Sequence, residues 1–390
     1  MIYFILGAQP ELSKAEINAV LKSGLEEKVS SHSVLLADVE NQSLSALQDR
    51  LAGVVKIGHI LGELKEWDEG AAAELIATYA SGAMGKNKIR FGISVYDLQN
   101  PSGTKEMEGE LDSLGGAVKR VLKESGRPVR YVTSKEPRLS SAVVETNGLL
   151  SSGGEYVLLV GPDGILIGQT EAVQDFKAWS DRDYGRPARD KRSGMLPPKL
   201  ARMMINLTGI EPEGHSVLDP FCGSGTVLME AQLMGYKDLI GSDISEKAVL
   251  DTEKNMDWVT KHFDLSVPAL KLFTTPAADL KEQYNETVDA VVAEVFLGNP
   301  RMRAVDTHEA KQATKQLMPM LEESFQGLKH LFDDETVAVV AFPAYKQKNG
   351  EWHRLPIKEL LEKLGYTVKD NYLYFRSKQF IARDIYVFTS

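Results

Sequence analysis

The stretch VLDPFCGSGTVLMEA, Val217–Ala231, decides the fold of the second half of this chain. An apolar strand ends at Asp219, a glycine-rich turn follows it, and an apolar helix begins directly after the turn. Glycines in such a turn let the backbone approach a ligand closely, and the start of the helix presents free amide groups. The stretch therefore predicts a strand–turn–helix unit whose turn binds a small molecule.

A second acid indicates the kind of small molecule. GSDIS places Asp243 about 20 residues after the turn, at the end of the next strand candidate, where a carboxylate suits the two ribose hydroxyls of an adenosine. The turn has neither the GK[ST] of a P-loop nor the G-x-G-x-x-G of a dinucleotide fold. Since Asp219 would repel a pyrophosphate, the pattern favours a cofactor with a cationic end, such as the amino group of S-adenosylmethionine. The alternative is an ordinary tight turn of an α/β protein.

From residue 197 onward, strand and helix candidates alternate. The strand candidates are Ser216–Leu218, Leu239–Ser242, Ala269–Phe273, Ala290–Ala293, Val337–Phe342, Thr367–Phe375 and Phe380–Phe388. Only Arg376–Gln379 joins the last two, which is too short for a helical crossover, so these strands should form an antiparallel pair. Six alternating strands and an antiparallel seventh predict a doubly wound α/β domain.

The first 175 residues predict an α+β region without a phosphate loop or a catalytic cluster. Residues 1–65 alternate as β-α-β-α-β, and a second unit follows over 66–175. In that second unit we expect a helix over Glu106–Ser125 and an antiparallel sheet that includes Ala142–Leu150. We interpret this region as a module that binds or presents a substrate.

Charge is distributed unevenly along the chain. Lys and Arg total 45 against 55 Asp and Glu, so the formal net charge is −10. Nevertheless the stretches 119–138 and 177–202 each carry an excess of five positive charges. The simpler interpretation is that both stretches are ordinary solvated surfaces. However, two basic stretches in an acidic chain favour a surface that binds a polyanion.

Several classes of protein are disfavoured. The single cysteine, Cys222, supports neither a disulfide framework nor a cysteine-based zinc site. The seven histidines show no metal-ligand spacing, and no apolar run approaches the ~18 residues that span a bilayer. We therefore expect no metal, no membrane partner and a cytoplasmic location. Cys222 lies inside the glycine turn, so methylation of pyrimidine C5 through a covalent thiolate adduct is also disfavoured.

DPFCGSGT, the position of Asp243 and the preceding RPARDKRSGMLPPKLARMMINL resemble the THUMP-containing guanine N2-methyltransferases. The resemblance is closest to the archaeal and eukaryotic enzymes that methylate guanosine 10 of tRNA, and the opening FILGAQPELSKAEI is similar to the start of that family. It implies a ferredoxin-like unit over 1–65, a THUMP-type RNA-binding domain over 66–175, a basic linker over 176–196 and a Rossmann-like, seven-stranded class I methyltransferase domain over 197–390. It also implies S-adenosylmethionine as cofactor and tRNA as partner.

The resemblance and the turn together assign candidate site residues. The cofactor-binding candidates are Met195, Asp219, Phe221, Gly223, Ser224, Gly225, Thr226, Asp243 and Ile244. Ser193–Met195 corresponds to a stretch that helps to close the cofactor pocket in the family. The RNA-binding candidates are Arg186, Arg189, Lys191 and Arg192.

The loop that holds the target base departs from the family pattern. An Asp-Pro-Pro-Tyr-type motif is expected after the fourth strand, but Val288–Pro300 reads VDAVVAEVFLGNP. Glu294 takes the acidic position, where it accepts an N–H of the exocyclic amine, and Phe296 replaces the lost stacking surface. Asn299-Pro300 is the second choice for this motif. After the third strand, Pro276 stands where an acid is usual, and Asp279 is the substitute candidate for contacting the adenine.

The altered loop leaves alternatives open. The first prediction is a methyltransferase that acts on the N2 amine of a guanosine, in tRNA. The others are a catalytically inactive RNA-binding protein of the same fold, and an amino-methyltransferase that acts on ribosomal RNA or DNA.

Overall fold

The computed structural model describes residues 1–40, 42–82, 88–124, 126–189 and 195–390. The chain divides into two compact units, Met1–Ala178 (unit 1) and Trp179–Ser390 (unit 2).

Unit 1 is built on one eight-stranded sheet with helices packed on it. Its strands are β1 Ile2–Leu6, β2 Leu25–Ser30, β3 Val34–Val39, β4 Val54–Leu64, β5 Ile89–Asp97, β6 Val129–Val132, β7 Gly153–Gly161 and β8 Gly164–Val173. Its helices are α1 Pro10–Leu21, α2 Leu44–Arg50, α3 Glu69–Ser81, α4 Pro101–Lys123, α5 Ser141–Thr146 and α6 Leu149–Ser152, and α7 Phe176–Ser180 crosses into unit 2. The strand order is β2-β3-β1-β4-β8-β7-β5-β6. Since β4 pairs with β8, the predicted 1–65 and 66–175 regions share a continuous sheet.

Parts of the sequence prediction for unit 1 are wrong. Ala142–Leu150 is not a strand but lies in α5 and α6, because the Ser140 side chain caps α5 at the Val143 amide and Gly148, with φ of +63°, starts α6. The sheet is mixed, since β5 runs parallel to both β6 and β7. The long helix starts at Pro101, earlier than predicted, where the Asn100 side chain caps it. The edge strand β2 was missed because its residues are mostly polar and exposed.

Unit 2 confirms the predicted α/β domain. Its strands are β9 Ser216–Asp219, β10 Asp238–Asp243, β11 Ala269–Thr274, β12 Ala290–Glu294, β13 Val337–Lys346, β14 Trp352–Arg354, β15 Thr367–Tyr374 and β16 Ile381–Thr389. Its further helices are α8 Pro198–Leu207, α9 Thr226–Met234, α10 Glu246–His262, α11 Thr307–Leu328 and α12 Ile357–Lys363.

The sheet of unit 2 has the predicted topology. The order is β11-β10-β9-β12-β13-β16-β15, and the short β14 pairs with β13. Strands β9 to β13 pair in parallel, whereas β16 is antiparallel to both β13 and β15. Apolar residues of β12, β13, α11 and α12 form its main core. The Rossmann-like α/β fold is therefore confirmed, with β14 as an addition to the seven predicted strands, while the ferredoxin-like and THUMP assignments stay predictions.

Candidate active site

Three acidic residues end three neighbouring strands of unit 2. Asp219 ends β9, Asp243 ends β10 and Glu294 ends β12. Strand β9 lies between the other two and runs parallel to both, so their carboxyl ends meet at one edge of the sheet. The strand order reverses at this point, which is the usual position of a ligand site in an α/β fold. The three acids line a single cavity of about 580 Å³.

The glycine turn forms one wall of this cavity and fixes Asp243. The Gly223 amide donates to Oδ2 of Asp243 at 3.0 Å, and the Ser245 amide donates to Oδ1 at 2.9 Å. Gly223, Ser224 and Thr226 line the cavity. Each carboxylate oxygen of Asp243 can accept a further hydrogen bond, so this acid is oriented and still able to bind two hydroxyls.

Helix α10 holds the glycine turn from behind. The fully buried Thr252 donates to the carbonyl oxygen of Gly223 at 2.9 Å. Asn255, also fully buried, donates through Nδ2 to the carbonyl oxygens of Ser224 and Ala188, at 2.8 and 2.9 Å. Both side chains therefore fix the turn to α10, and Asn255 also joins it to the segment around Ala188.

Asp219 is almost completely buried, with 2% exposure, and its Oδ1 accepts from the Phe221 amide at 3.1 Å. Burial raises the pKa of Asp219 well above its usual range, and the charges of Asp243 and Glu294 raise it further, against the lowering effect of the Phe221 hydrogen bond. A carboxyl in this environment gains most from a cationic ligand group.

Cys222 is a packing residue of the turn, as expected. It is 4% exposed, and its amide donates to the carbonyl oxygen of Ser242 at 2.9 Å. Burial raises the pKa of the thiol, so the reactive thiolate is disfavoured.

Arg186 does not face solvent, and its predicted contact with RNA is not supported. It is 2% exposed, and its Nη1 donates to Oγ1 of Thr226 at 2.6 Å, while Nη2 contacts Sδ of Met195 at 3.3 Å. Thr226 and Met195 both line the cavity. Arg186 therefore supports the cavity wall, and we do not propose it as an RNA contact.

Much of the charge in the basic 177–202 stretch points inward. Arg182 and Arg202 are each 6% exposed and both donate to Oε2 of the buried Glu230 at 2.9 Å. Both guanidinium groups also lie over the Trp179 ring, at 3.7 and 5.2 Å from its centroid. Among the described residues of the stretch, Arg182, Arg186 and Arg202 are therefore buried, whereas Lys177 and Lys199 stay exposed.

Of the other three RNA-binding candidates, the structure describes only Arg189. Arg189 is half-buried, with its guanidinium 5.2 Å from the centroid of the exposed Tyr184 ring. Lys191 and Arg192 lie outside the described residues, as does Ser193 of the pocket-closing stretch. These RNA contacts stay predictions.

Glu294 and Phe296, the catalytic candidates, lie together at the cavity. Glu294 has a side-chain exposure of 15%, whereas Phe296 is 54% exposed at the cavity wall. Nε of Arg383, on β16, donates to Oε1 of Glu294 at 2.5 Å. Oε2 of Glu294 is the carboxylate oxygen not engaged by this bond, so an acceptor remains beside the apolar Phe296 surface.

The loop after Glu294 is fixed by Tyr345. The Tyr345 hydroxyl donates to the carbonyl oxygen of Leu297 at 3.0 Å. Gly298 has φ of +84°, and a Cβ there would come within 2.9 Å of that hydroxyl. Val295 to Gly298 line the cavity, whereas Asn299 and Pro300 are exposed and are not among the described lining residues. The geometry therefore favours Glu294 over Asn299 as the substrate acceptor.

Most cofactor candidates reach the cavity. Besides the acids and the turn, Met195, Phe221 and Ile244 line it. Gly225 is not a lining residue; its φ of +80° makes the turn into α9. Asp279 is not a lining residue either, since Pro276 and Ala277 occupy the wall there. The structure does not support Asp279 as an adenine contact.

Sequence reasoning missed Arg383, Thr252 and Asn255. Arg383 lies 89 residues from Glu294, and nothing in the local sequence relates the two. Asn255 gave a weak signal, because it is a poor helix former in the middle of a predicted helix.

The residues fit S-adenosylmethionine. The buried Asp219 suits the amino group, Asp243 suits the ribose hydroxyls, and Ile244, which is 75% exposed beside Asp243, offers an apolar surface to a base. A Cβ added at Gly223 would meet no atom closer than 3.9 Å, so the backbone here leaves room for a ligand. The acids also explain why a polyphosphate does not fit.

Comparison with known proteins agrees with this chemistry. The UPF0020 family, an RMKL-like methyltransferase domain, matches residues 186–347. The tRNA (guanine(10)-N2)-dimethyltransferase of Methanothermobacter thermautotrophicus is 27% identical over 304 residues, covering 75% of this chain and 76% of that relative. The enzyme of that name from Methanocaldococcus jannaschii is 36% identical over 139 residues, which span 33% of this chain and 38% of the relative. The predicted resemblance to tRNA guanine N2-methyltransferases is thereby confirmed.

A solved structure supports the fold. TrmN from Thermus thermophilus aligns over 100% of both chains with a TM-score of 0.59 and 16% sequence identity. At this identity the similarity concerns the fold alone.

In the described part of the chain, none of the helices combines the length and apolar character needed to cross a membrane. Within the same residues, no three His, Cys, Asp or Glu side chains are grouped so that they could hold a metal ion.

Proposed function

We propose that this chain, whose residues 186–347 form an RMKL-like methyltransferase domain, transfers a methyl group from S-adenosylmethionine to the N2 amine of a guanosine in tRNA. The observation that carries the proposal is the position of Glu294. Its carboxylate lies in the same cavity as Asp219 and Asp243, beside the exposed Phe296. The names of the two archaeal relatives support the substrate.

Each group of the cavity has a task in this reaction. When bound, S-adenosylmethionine supplies the methyl group: the amine lone pair forms the new N–C bond, the electron pair of the broken S–C bond stays on sulfur, and one amine proton is lost. Asp219 binds the cofactor's amino group and Asp243 its ribose hydroxyls. Glu294 accepts an N–H of the guanine amine, which turns the nitrogen lone pair towards the cofactor, and Phe296 stacks on the base. Positioning of this kind supplies much of the acceleration.

The remaining predictions complete the proposal. Residues 1–65 are a ferredoxin-like unit and 66–175 a THUMP-type domain that binds the RNA backbone, which contributes affinity rather than base identity. The enzyme acts in the cytoplasm, where its tRNA substrate and reduced Cys222 are found together.

The test is nucleoside mass spectrometry of unmodified tRNA after incubation with the protein and S-adenosylmethionine. We expect N2-methylguanosine or N2,N2-dimethylguanosine from the wild type. We expect Glu294→Ala to lower kcat by roughly 100-fold or more, because the amine loses its oriented acceptor. Thermal unfolding and binding of S-adenosylhomocysteine serve as controls for folding.

Three results would contradict the proposed function or the role of Glu294 in it. Cofactor binding without methyl transfer to any tRNA indicates the binding-only protein that the altered 294–298 loop suggests. Transfer to ribosomal RNA or DNA but not to tRNA indicates the other amino-methyltransferase. Full activity of Glu294→Ala removes Glu294 from the mechanism.

A further inference from the structure

Arg383 connects the catalytic candidate Glu294 to β16, a strand that contributes no described residue to the cavity wall. It lies on β16, opposite Pro343 of β13, while Glu294 lies opposite Ala341 of β13. Since β13 separates β12 from β16, the two side chains together bridge two strand spacings, or about 10 Å. A long side chain is needed to reach the carboxylate from there.

The contact is buried and directional. The side chains of Arg383 and Glu294 are 7% and 15% exposed, and Nε donates to Oε1 at 2.5 Å. A charge-assisted hydrogen bond of this kind is strong where water is excluded. It fixes the orientation of the carboxylate plane, and with it the direction of Oε2.

We propose that Arg383 is the positioning residue that aims Oε2 of Glu294 at the substrate amine. This proposal rests on the function proposed above. The pair explains how a glutamate serves at a position where the resemblance predicts an aspartate. The extra methylene adds a rotatable bond, and the guanidinium removes the freedom that this bond brings.

The pair also restricts the chemistry of Glu294. A guanidinium has only donors and no acceptor, so Oε1 stays engaged with Arg383 and Oε2 is the oxygen left for the amine. Glu294 therefore orients the amine through this one oxygen, and the amine proton lost on methyl transfer passes to solvent.

The central test is Arg383→Met, with Arg383→Lys as the conservative variant. We expect Arg383→Met to lower kcat by roughly 100-fold, because Glu294 is no longer held in one orientation. We expect the KM for tRNA and the Kd for S-adenosylhomocysteine to change by less than about threefold. Arg383→Lys should keep at least about a tenth of wild-type kcat, since an ammonium can also donate a charge-assisted hydrogen bond to the carboxylate.

A matched control removes a neighbouring ion pair. Arg354, on β14, pairs with Asp384, the next residue of β16, at 3.5 Å, and hydrogen-bonds to Asn371 at 2.7 Å. Arg354→Met also deletes a guanidinium beside β16, but Glu294 keeps its partner. It should leave kcat unchanged, so a general disturbance of β16 can be told apart from the loss of positioning.

A double-mutant cycle separates positioning from structure. Glu294→Gln combined with Arg383→Met should be no slower than Glu294→Gln alone, since Arg383 acts only through the carboxylate. The proposal is overturned if the two effects multiply, if Arg383→Met keeps wild-type kcat, or if Arg354→Met lowers kcat equally.

If the wild type methylates another amine instead, the proposed function fails, and the same cycle on that acceptor still decides the role of Arg383. If it methylates nothing, both proposals fail.

Discussion

Among single residues, Asp219 is the one whose ionisation we expect cofactor binding to change. Its carboxyl is buried next to two other acids, which explains both the raised pKa and the preference for a cationic ligand. In the free protein it stays protonated at pH values where an ordinary aspartate, with a pKa of about 3.9, is ionised. A bound ammonium favours the ionised form, so cofactor binding and loss of this proton are linked.

We therefore expect binding of S-adenosylhomocysteine to release up to about one proton. The affinity should rise as pH increases towards the raised pKa of free Asp219 and level off once pH exceeds that pKa. Calorimetric titration in buffers of different ionisation enthalpy measures the release directly. Asp219→Asn should abolish it and weaken binding. An apparent binding enthalpy that is identical in all buffers would contradict the raised pKa.

The second residue-scale prediction concerns the turn. Gly225 has φ of +80°, and a Cβ there would lie 2.9 Å from Cγ2 of Thr252. Gly225→Ala should therefore lower the free energy of unfolding by about 2–4 kcal/mol, from the backbone cost together with the steric clash. Gly214 is a matched control, because its φ is +79° but a Cβ would meet nothing within 4 Å.

Denaturant unfolding of both variants distinguishes the two terms. Gly214→Ala should lower the free energy of unfolding by only about 1–2 kcal/mol, the backbone cost alone. Equal losses in the two variants would mean that Thr252 does not restrict the turn.

At the scale of elements, the sequence predicted what depends on local pattern. Seven of the eight strands described in unit 2 were placed within a few residues, because apolar alternation and short connections determine them, and only the three-residue β14 was missed. Strand β2 was not predicted because an exposed edge strand lacks apolar alternation. Ala142–Leu150 was wrongly predicted as a strand because a short apolar run fits either a helix or a strand. Local pattern therefore predicts buried elements better than exposed or short ones.

Contacts between elements were not predictable in the same way. The acids at the ends of β9, β10 and β12 could be predicted, since parallel strands bring their carboxyl ends together. Arg383 could not, because it reaches Glu294 across β13. The charge count of 177–202 was misleading for the same reason: Glu230, the partner of Arg182 and Arg202, lies 28 to 48 residues away in sequence. Composition counts charges but does not show which ones pair inside the fold.

For the whole molecule, this correction moves the predicted RNA contact towards unit 1. Five of the seven basic residues of the 119–138 stretch are exposed, namely Arg120, Lys123, Arg130, Lys135 and Arg138. The cavity, in contrast, is lined entirely by residues of unit 2. We therefore expect unit 1 to supply phosphate contacts and unit 2 to supply the chemistry.

The last prediction tests this division in the full-length protein. Reversing two exposed charges of unit 1, in Lys123→Glu/Arg130→Glu, should weaken tRNA binding by roughly tenfold or more. It should also reduce the magnitude of the slope of log K against log salt by about 1–2, because fewer counterions are released on binding when phosphate contacts are lost. The Kd for S-adenosylhomocysteine should not change.

The control Lys261→Glu/Lys358→Glu makes the same charge change at two exposed positions of unit 2, with side chains 79% and 61% exposed. Because it alters net charge equally but leaves 119–138 intact, an equal loss of tRNA affinity in both double variants would show that binding follows total charge, and unit 1 would lose its proposed role.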